Sequence, residues 1–309
     1  HRPIRMQGCY SDRLHMPWLN AAMRVDPAWL RVENVQRRAN LSKEEFVEKF
    51  EKPGIPVVIT DVVPKWKAAK EWTTKRMRER YGGGKFKVSA TMEMELGAFL
   101  DYCESDPTDE RPLYLFEKDI FRKCPEMEAE YTLPPQFDED LMSALGRDAR
   151  PDYRWLIVGP KLSGSSFHVD PNCNFAWNAT LQGRKKWVFY PPGVQPPGVD
   201  GGVSLPEWFA ENYGEEHEGS EHRLECVTGP GDLMYVPRGW WHSVMNLELS
   251  VALAQNCVTG RNLLAVADYY GEYAAPCPPG KGCRGDVAVY SSGDVPTSVI
   301  FPYKERVRA

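Results

Sequence analysis

GSSFHVDPNCNFAWNATLQGRKKWVFYPP, residues 164–192, sets an imidazole, His168, and a carboxylate, Asp170, one residue apart, and follows them with two apolar runs split by a Gln-Gly-Arg turn. The runs 174–181 and 185–190 are rich in aromatic and β-branched residues and bounded by Gly, Pro and Asn, which reads as two consecutive strands. On a strand, positions i and i+2 point to one face. His168 and Asp170 can therefore aim a nitrogen and an oxygen at a single point. Taken alone, the pair has a plainer reading as a His–Asp hydrogen bond at a strand end.

Outward from this stretch the same texture continues. Short runs punctuated by Gly and Pro recur at 153–158, 165–170, 224–227, 232–236, 240–245 and 249–256. Many short strands with turn signals between them predict an antiparallel sandwich or barrel. Upstream the chain alternates. Residues 42–52 read as a helix opened by Ser42 and Glu45 as a capping box, with Leu41 stapled to Phe46, and closed by Pro53-Gly54. Strands are expected at 55–60, 85–89 and 111–116, and helices over 73–84 and 94–105. Asp26 and Pro27 open a short helix. Residues 205–223 read as partly helical and 261–274 as a helix. Four segments follow: an N-terminal extension over 1–40, a helix-and-strand flank over 41–150, a β core over 151–260, and a C-terminal helix and tail over 261–309.

A third metal ligand lies far along the chain. PGDLMYVPRGWWHSVMN, residues 230–246, carries His242 behind a Pro-Arg-Gly turn. In an antiparallel barrel, strands distant in sequence sit side by side, so the gap from Asp170 is no obstacle. Two imidazoles and one carboxylate leave open positions on a metal, the arrangement of non-haem Fe(II) oxygenases; Zn²⁺ is the rival on ligand type. His1 and His15 lie in the N-terminal segment. His217 and His222 lie in an acidic stretch that reads as solvated loop. Lys185 heads an apolar strand. It is either a rim residue with its amine in water or a buried cation that needs an anionic ligand, since an unpaired buried ammonium is too costly. Asn178 can share that face.

Composition narrows the class. The chain has 309 residues, 42% of them apolar and 12% aromatic, enough for a sizeable core. A net charge of −5 gives no global pull toward nucleic acid or anionic membrane. The eight cysteines are scattered, as reduced thiols of an intracellular protein are. No apolar run reaches the length of a membrane span. Cys277 and Cys283, in CPPGKGC, lack a second ligand pair, so no second metal is expected. The chain opens on His1 rather than Met, which suggests a piece of a longer protein.

The motifs in order, namely HVD at 168–170, AWNA at 176–179, QGRKKW at 182–187 and GWWH at 239–242, resemble those of Jumonji-C (JmjC) oxygenases. The resemblance covers about residues 34–260. It is closest to the lysyl-hydroxylase branch and its fungal and plant relatives, some with an upstream F-box. It implies a double-stranded β-helix, a cupin-like jelly roll with packed helices, and Fe(II) and 2-oxoglutarate as cofactors. His168, Asp170 and His242 fall on the family's iron ligands. Lys185 falls on the lysine that meets the far carboxylate of 2-oxoglutarate, and Asn178, Tyr114 and Ser165 fall on residues around it. Ala254 stands where the family has a Thr, so one hydroxyl is lost, and Asn246 is a candidate to compensate.

Among the tryptophans 177, 187, 240 and 241, core packing is the plain reading, taken for Trp187. Trp241, beside His242, is read as a substrate-facing aromatic. The resemblance implies a protein or peptide substrate rich in Lys or Arg, hydroxylated at lysine or, alternatively, demethylated at arginine or lysine, in the nucleus. The acidic stretches 104–110 and 214–221 are the candidate approach for such a peptide; the alternative is that both are solvated. A catalytically weak binding module and an adaptor within a larger F-box-type protein are the readings from other classes. Oligomeric state is not legible.

Overall fold

Lys185–Tyr190 alternates without exception between two buried faces, and that alternation organises the molecule. The computed structural model describes residues 23–89, 92–109, 111–146, 150–199, 203–214 and 219–273. Its strands are β1 (Gln36–Arg38), β2 (Val57–Ile59), β3 (Lys85–Lys87), β4 (Glu93–Glu95), β5 (Leu115–Glu117), β6 (Arg154–Gly159), β7 (Gly164–His168), β8 (Phe175–Gln182), β9 (Lys185–Tyr190), β10 (Leu224–Thr228), β11 (Leu233–Val236), β12 (Trp241–Asn246) and β13 (Ser250–Cys257). Seven form one sheet in the order β1-β2-β11-β8-β13-β6-β5, and four form a second in the order β10-β9-β12-β7. Within them every pairing is antiparallel but that of β1 with β2.

Two sheets with residues buried on both faces make three apolar layers. Between the sheets lie Val58, Ala176, Trp187, Phe189, Cys226, Met234, Val236 and Val244. The outer face of the large sheet presents Leu156, Val158, Trp177, Leu181 and Leu253, covered by Phe46, Phe50, Trp72, Phe99 and Leu100 from the helical flank. The outer face of the small sheet presents Val188, Tyr190 and Met245 to Trp29, Leu205, Trp208 and Phe209. Burying each such side chain stabilises by about 1.5–3 kcal/mol. The strand pattern predicts such a sandwich and the resemblance implies its cupin-like jelly-roll form; helices pack on the outer faces of both sheets rather than of one.

The local signals act as read. Ser42 Oγ accepts from the Glu45 amide at 3.1 Å, one half of the expected capping box, while the Glu45 carboxylate meets Arg38 and Lys49 instead. Asp26 caps the turn Pro27–Leu30. A signal not singled out in the sequence adds to these: Ser204 and Glu207 form a reciprocal capping box on the helix Leu205–Glu211. Each expected core strand lies within two residues of its place. Three details differ. The 42–52 helix is α only over Lys43–Phe46 and widens to a π-turn over Val47–Glu51, where the Lys52 amide reaches back to Val47 O. The strand expected over 111–116 is Leu115–Glu117, since Pro112 can offer no ladder donor. The strand expected over 165–170 ends at His168, because Asp170-Pro171 begins the turn Pro171–Cys173. Among the described residues no helix is long and apolar enough to cross a membrane.

Candidate metal centre

β12 pairs with β7 so that His242 stands directly opposite His168, with ring centroids 4.2 Å apart. Asp170 Oδ1 is 3.9 Å from His168 Nε2 and 3.8 Å from His242 Nε2. One ligand atom from each residue falls within 4.8 Å of the others. Asp170 reaches this point from the turn rather than from the strand, so the shared-face argument placed it correctly for an incomplete reason. Asn172 and Cys173, at φ 59° and 55°, take the left-handed region in succession and turn the chain sharply behind it.

The protonation pattern is set by backbone. His168 Nδ1 lies 2.8 Å from Ser166 O and His242 Nδ1 lies 3.1 Å from Trp240 O. A carbonyl only accepts, so both Nδ1 atoms carry the proton and both Nε2 lone pairs are free for a cation. Burial pushes the Asp170 carboxyl up to about 6, against the pull of His168. Burial, then the neighbouring His168, holds His242 well below the ordinary imidazole range. Asp170 Oδ2 is buried with no hydrogen-bond partner among the described residues. A divalent cation suits this donor set, because it favours the carboxylate and the neutral imidazole together.

Behind His242 stands a stacked wall. Trp187 and Phe189 are parallel within 3° at 5.6 Å, and Phe189 lies 6.1 Å from the His242 ring. Trp187 Nε1 donates to Thr228 Oγ1 at 2.9 Å, and Thr228 Oγ1 is 3.0 Å from Thr180 Oγ1. Trp187 is thus core, as expected.

Lys185 is fully buried, which rules out the rim reading. Its Nζ donates to Asn246 Oδ1 at 2.6 Å, Asn246 Nδ2 donates to Ser163 Oγ at 2.9 Å, and Ser163 Oγ donates to Pro160 O at 2.6 Å. The acceptor is neutral, and burial alone pushes the ammonium down to about 7. Asn246 therefore braces Lys185 rather than replacing the hydroxyl missing at Ala254. Tyr114 lies half-buried beside this group with its hydroxyl bonded to Ser165, and burial raises its phenol. A side chain on Gly159 would come within 2.5 Å of Tyr114 Cδ2 and 2.4 Å of Ser163 Oγ. Asn178 lies on the inner face of β8, with Oδ1 buried and without a partner among the described residues.

Trp241 is placed otherwise than expected. It alternates away from His242 and packs its half-buried ring on the outer cluster of the small sheet. The acidic stretch near 104–110 is locally engaged: Arg78 meets Asp101 and Glu104, Lys161 meets Asp106, and Tyr102 donates to Asp109. The stretch 214–221 is described only at its ends. His1, His15, His217, Cys277 and Cys283 lie outside the described residues. Gly159, Ser163, Thr180 and Thr228 carry no motif, and only the inward parity of Thr180 and Thr228 hinted at a role.

Residues 42–257 match the family model of the cupin-like domain. The arginine-specific demethylase JMJ22 of Arabidopsis thaliana is 42% identical over 269 residues, covering 84% of this chain and 53% of that protein. The bifunctional arginine demethylase and lysyl-hydroxylase psr-1 of Caenorhabditis elegans is 35% identical over 243 residues, 72% of this chain and 60% of that protein. The 2-oxoglutarate and iron-dependent oxygenase JMJD4 of Homo sapiens is 27% identical over 266 residues, 75% of this chain and 63% of that protein. The chain thus spans less than two thirds of the length of these curated relatives.

Proposed function

We propose, from the premise that this chain belongs to the cupin-like JmjC family of oxygenases, that it is an Fe(II)- and 2-oxoglutarate-dependent dioxygenase acting on protein side chains, with lysyl hydroxylation as the reaction. The observation that carries this reading is Lys185: a buried ammonium with only a neutral acceptor, on the sheet that also bears the two imidazoles, asks for an anionic ligand beside a metal. When bound, iron and the keto acid supply the oxidative chemistry.

The chain's own part is holding and shielding. His168, Asp170 and His242 hold the metal through two neutral Nε2 atoms and a carboxylate oxygen. Lys185 gives a charge-assisted hydrogen bond to the far carboxylate, and Asn246 keeps its Nζ in place. Tyr114 and Ser165 offer hydroxyls, and Asn178 a carboxamide, along the same cosubstrate. Trp187 and Phe189 close the wall behind His242 and keep water from it. The substrate is a protein segment rich in Lys or Arg, and the nucleus is the compartment such substrates suggest.

A second reading, arginine demethylation, is favoured by the match to JMJ22, which is named for that activity. One experiment separates them. The protein, with Fe(II), ascorbate and 2-oxoglutarate, is incubated with Lys/Arg peptides, methylated and not. Succinate formation that is lost in His168→Ala and Lys185→Ala supports the oxygenase. Peptide gaining one oxygen supports hydroxylation, and peptide losing one methylene supports demethylation. Absence of succinate with every peptide overturns both.

A further inference from the structure

Trp155, Ala254 and Asn178 stand in one row across the large sheet. Ala254 is paired directly with Trp155 on one side and with Asn178 on the other. Directly opposed residues of antiparallel strands share a face, with Cβ atoms about 4.5–5.5 Å apart. The two outer members therefore flank a methyl group on the inner side. Trp155 is 5% exposed and Asn178 9%. Trp155 Nε1 and Asn178 Oδ1 are both buried, and neither has a hydrogen-bond partner among the described residues.

A buried indole N–H left unpaired costs about 1–3 kcal/mol. Two such groups in one row, on either side of the smallest side chain that keeps a strand, form a place made for a polar ligand. The indole offers a donor only. The carboxamide offers a donor as well once it is turned by half a rotation, since its O and N ends exchange without change of shape. Two donors in one row, on either side of a methyl, suit an oxygen anion. The row also joins the Lys185 side of the interior. Tyr114, Phe116 and Ala254 pack on the cluster that contains Trp155, and Tyr114 lies against Gly159, whose carbonyl neighbours Asn246.

We propose that Trp155 is a further cosubstrate-binding residue, whose indole N–H, with the Asn178 carboxamide, takes a carboxylate oxygen of 2-oxoglutarate over the Ala254 methyl. This rests on the oxygenase reading above. The indole supplies from the neighbouring strand a donor that position 254 cannot.

The test is calorimetric titration of 2-oxoglutarate into the Mn(II)-loaded protein. Trp155→Phe keeps the ring and removes the N–H. Its binding weakens about tenfold, as for one hydrogen bond to a charged acceptor, while its melting temperature stays within a few degrees. Ala254→Ser adds a hydroxyl in the middle of the row; it tightens binding in the parent chain and restores part of the loss in Trp155→Phe. Unchanged affinity in a folded Trp155→Phe overturns the proposal. Should that variant not fold, unchanged affinity in Ala254→Ser overturns it alone. Failure of the unaltered protein to bind 2-oxoglutarate brings down the oxygenase reading instead, and this inference with it.

Discussion

Lys185 and Lys186 are neighbours on β9, both fully buried, and each has one short contact of 2.6 Å: Lys185 Nζ to the carboxamide of Asn246, Lys186 Nζ to the carboxylate of Glu225. Strand alternation sends them to opposite faces. Lys186 points outward under the segment that carries Trp29, where Arg223 and the Tyr213 hydroxyl also reach Glu225 and the charge is neutralised within the protein. Lys185 points inward, where no carboxylate among the described residues pairs with it. One buried lysine thus has an acid for its partner and its neighbour only an amide.

Replacing the two lysines should therefore have effects of opposite sign. Lys186→Met strands the buried Glu225 carboxylate with only part of its partners, and should destabilise by about 3 kcal/mol. Lys185→Met removes an ammonium that burial disfavours. It should leave the urea midpoint unchanged or raised while abolishing 2-oxoglutarate binding. Urea unfolding of both variants, with calorimetry on Lys185→Met, measures this. A Lys185→Met that is destabilised as much as Lys186→Met would contradict it.

Cosubstrate binding should draw in a proton above neutrality. Burial lowers the Lys185 ammonium from 10.5 to about 7, so at pH 8 the free protein holds it mostly neutral, and a carboxylate partner restores the charge. Titrations at pH 8 in two buffers of different ionisation heat should show uptake approaching one proton, and at pH 6 almost none. The stability sign follows from the same shift. Between about 7 and 10.5 the unfolded chain binds more protons at this position, so its contribution to stability rises with pH across that window and is least favourable below it.

The sequence made the frame legible because strand alternation and turn residues are local signals. HVD and GWWH bring two imidazoles and a carboxylate together, and QGRKKW sets Lys185 on the inner face of the same sheet. The interior of the site was less legible, since its contacts are not local. The residues alone left Lys185 open between a rim position and a buried one, because Asn246 and the 159–163 stretch that enclose it lie far from it in sequence. Trp241 is a different case. Once His242 is assigned inward, parity sends its neighbour outward, and that signal is local.

Gly159 should tolerate no side chain. A Cβ there would meet Tyr114 Cδ2 at 2.5 Å and Ser163 Oγ at 2.4 Å, and neither atom is the far end of a flexible chain. Gly159→Ala should cost about 1–3 kcal/mol as overpacking and, by moving Tyr114 off Ser165, weaken 2-oxoglutarate binding more than metal binding. Parallel titrations of Mn(II) and of 2-oxoglutarate read the two effects apart.

The turn that presents Asp170 should depend on a residue beyond the last strand. Asn262, 6% exposed, donates from Nδ2 to Cys173 O at 3.1 Å and accepts the Thr259 amide at Oδ1 at 2.8 Å. It ties the start of the helix Leu263–Tyr273 to a turn whose two successive left-handed residues cost free energy to hold. In Asn262→Ala both bonds go, and the turn is free to relax toward ordinary backbone angles. Because Asp170 sits one residue before that turn, while His168 and His242 remain locked in paired strands, the loss should fall on one ligand of three. Co(II) titration should then show affinity lowered about tenfold or more, as seen when groups that orient ligands are removed, with an absorption spectrum altered from that of the unaltered protein. The distant ion pair between Lys186 and Glu225 should be untouched, so the urea midpoint should fall by no more than the loss of two hydrogen bonds, about 1–3 kcal/mol. Unaltered Co(II) affinity and spectrum would show that the turn holds Asp170 by itself.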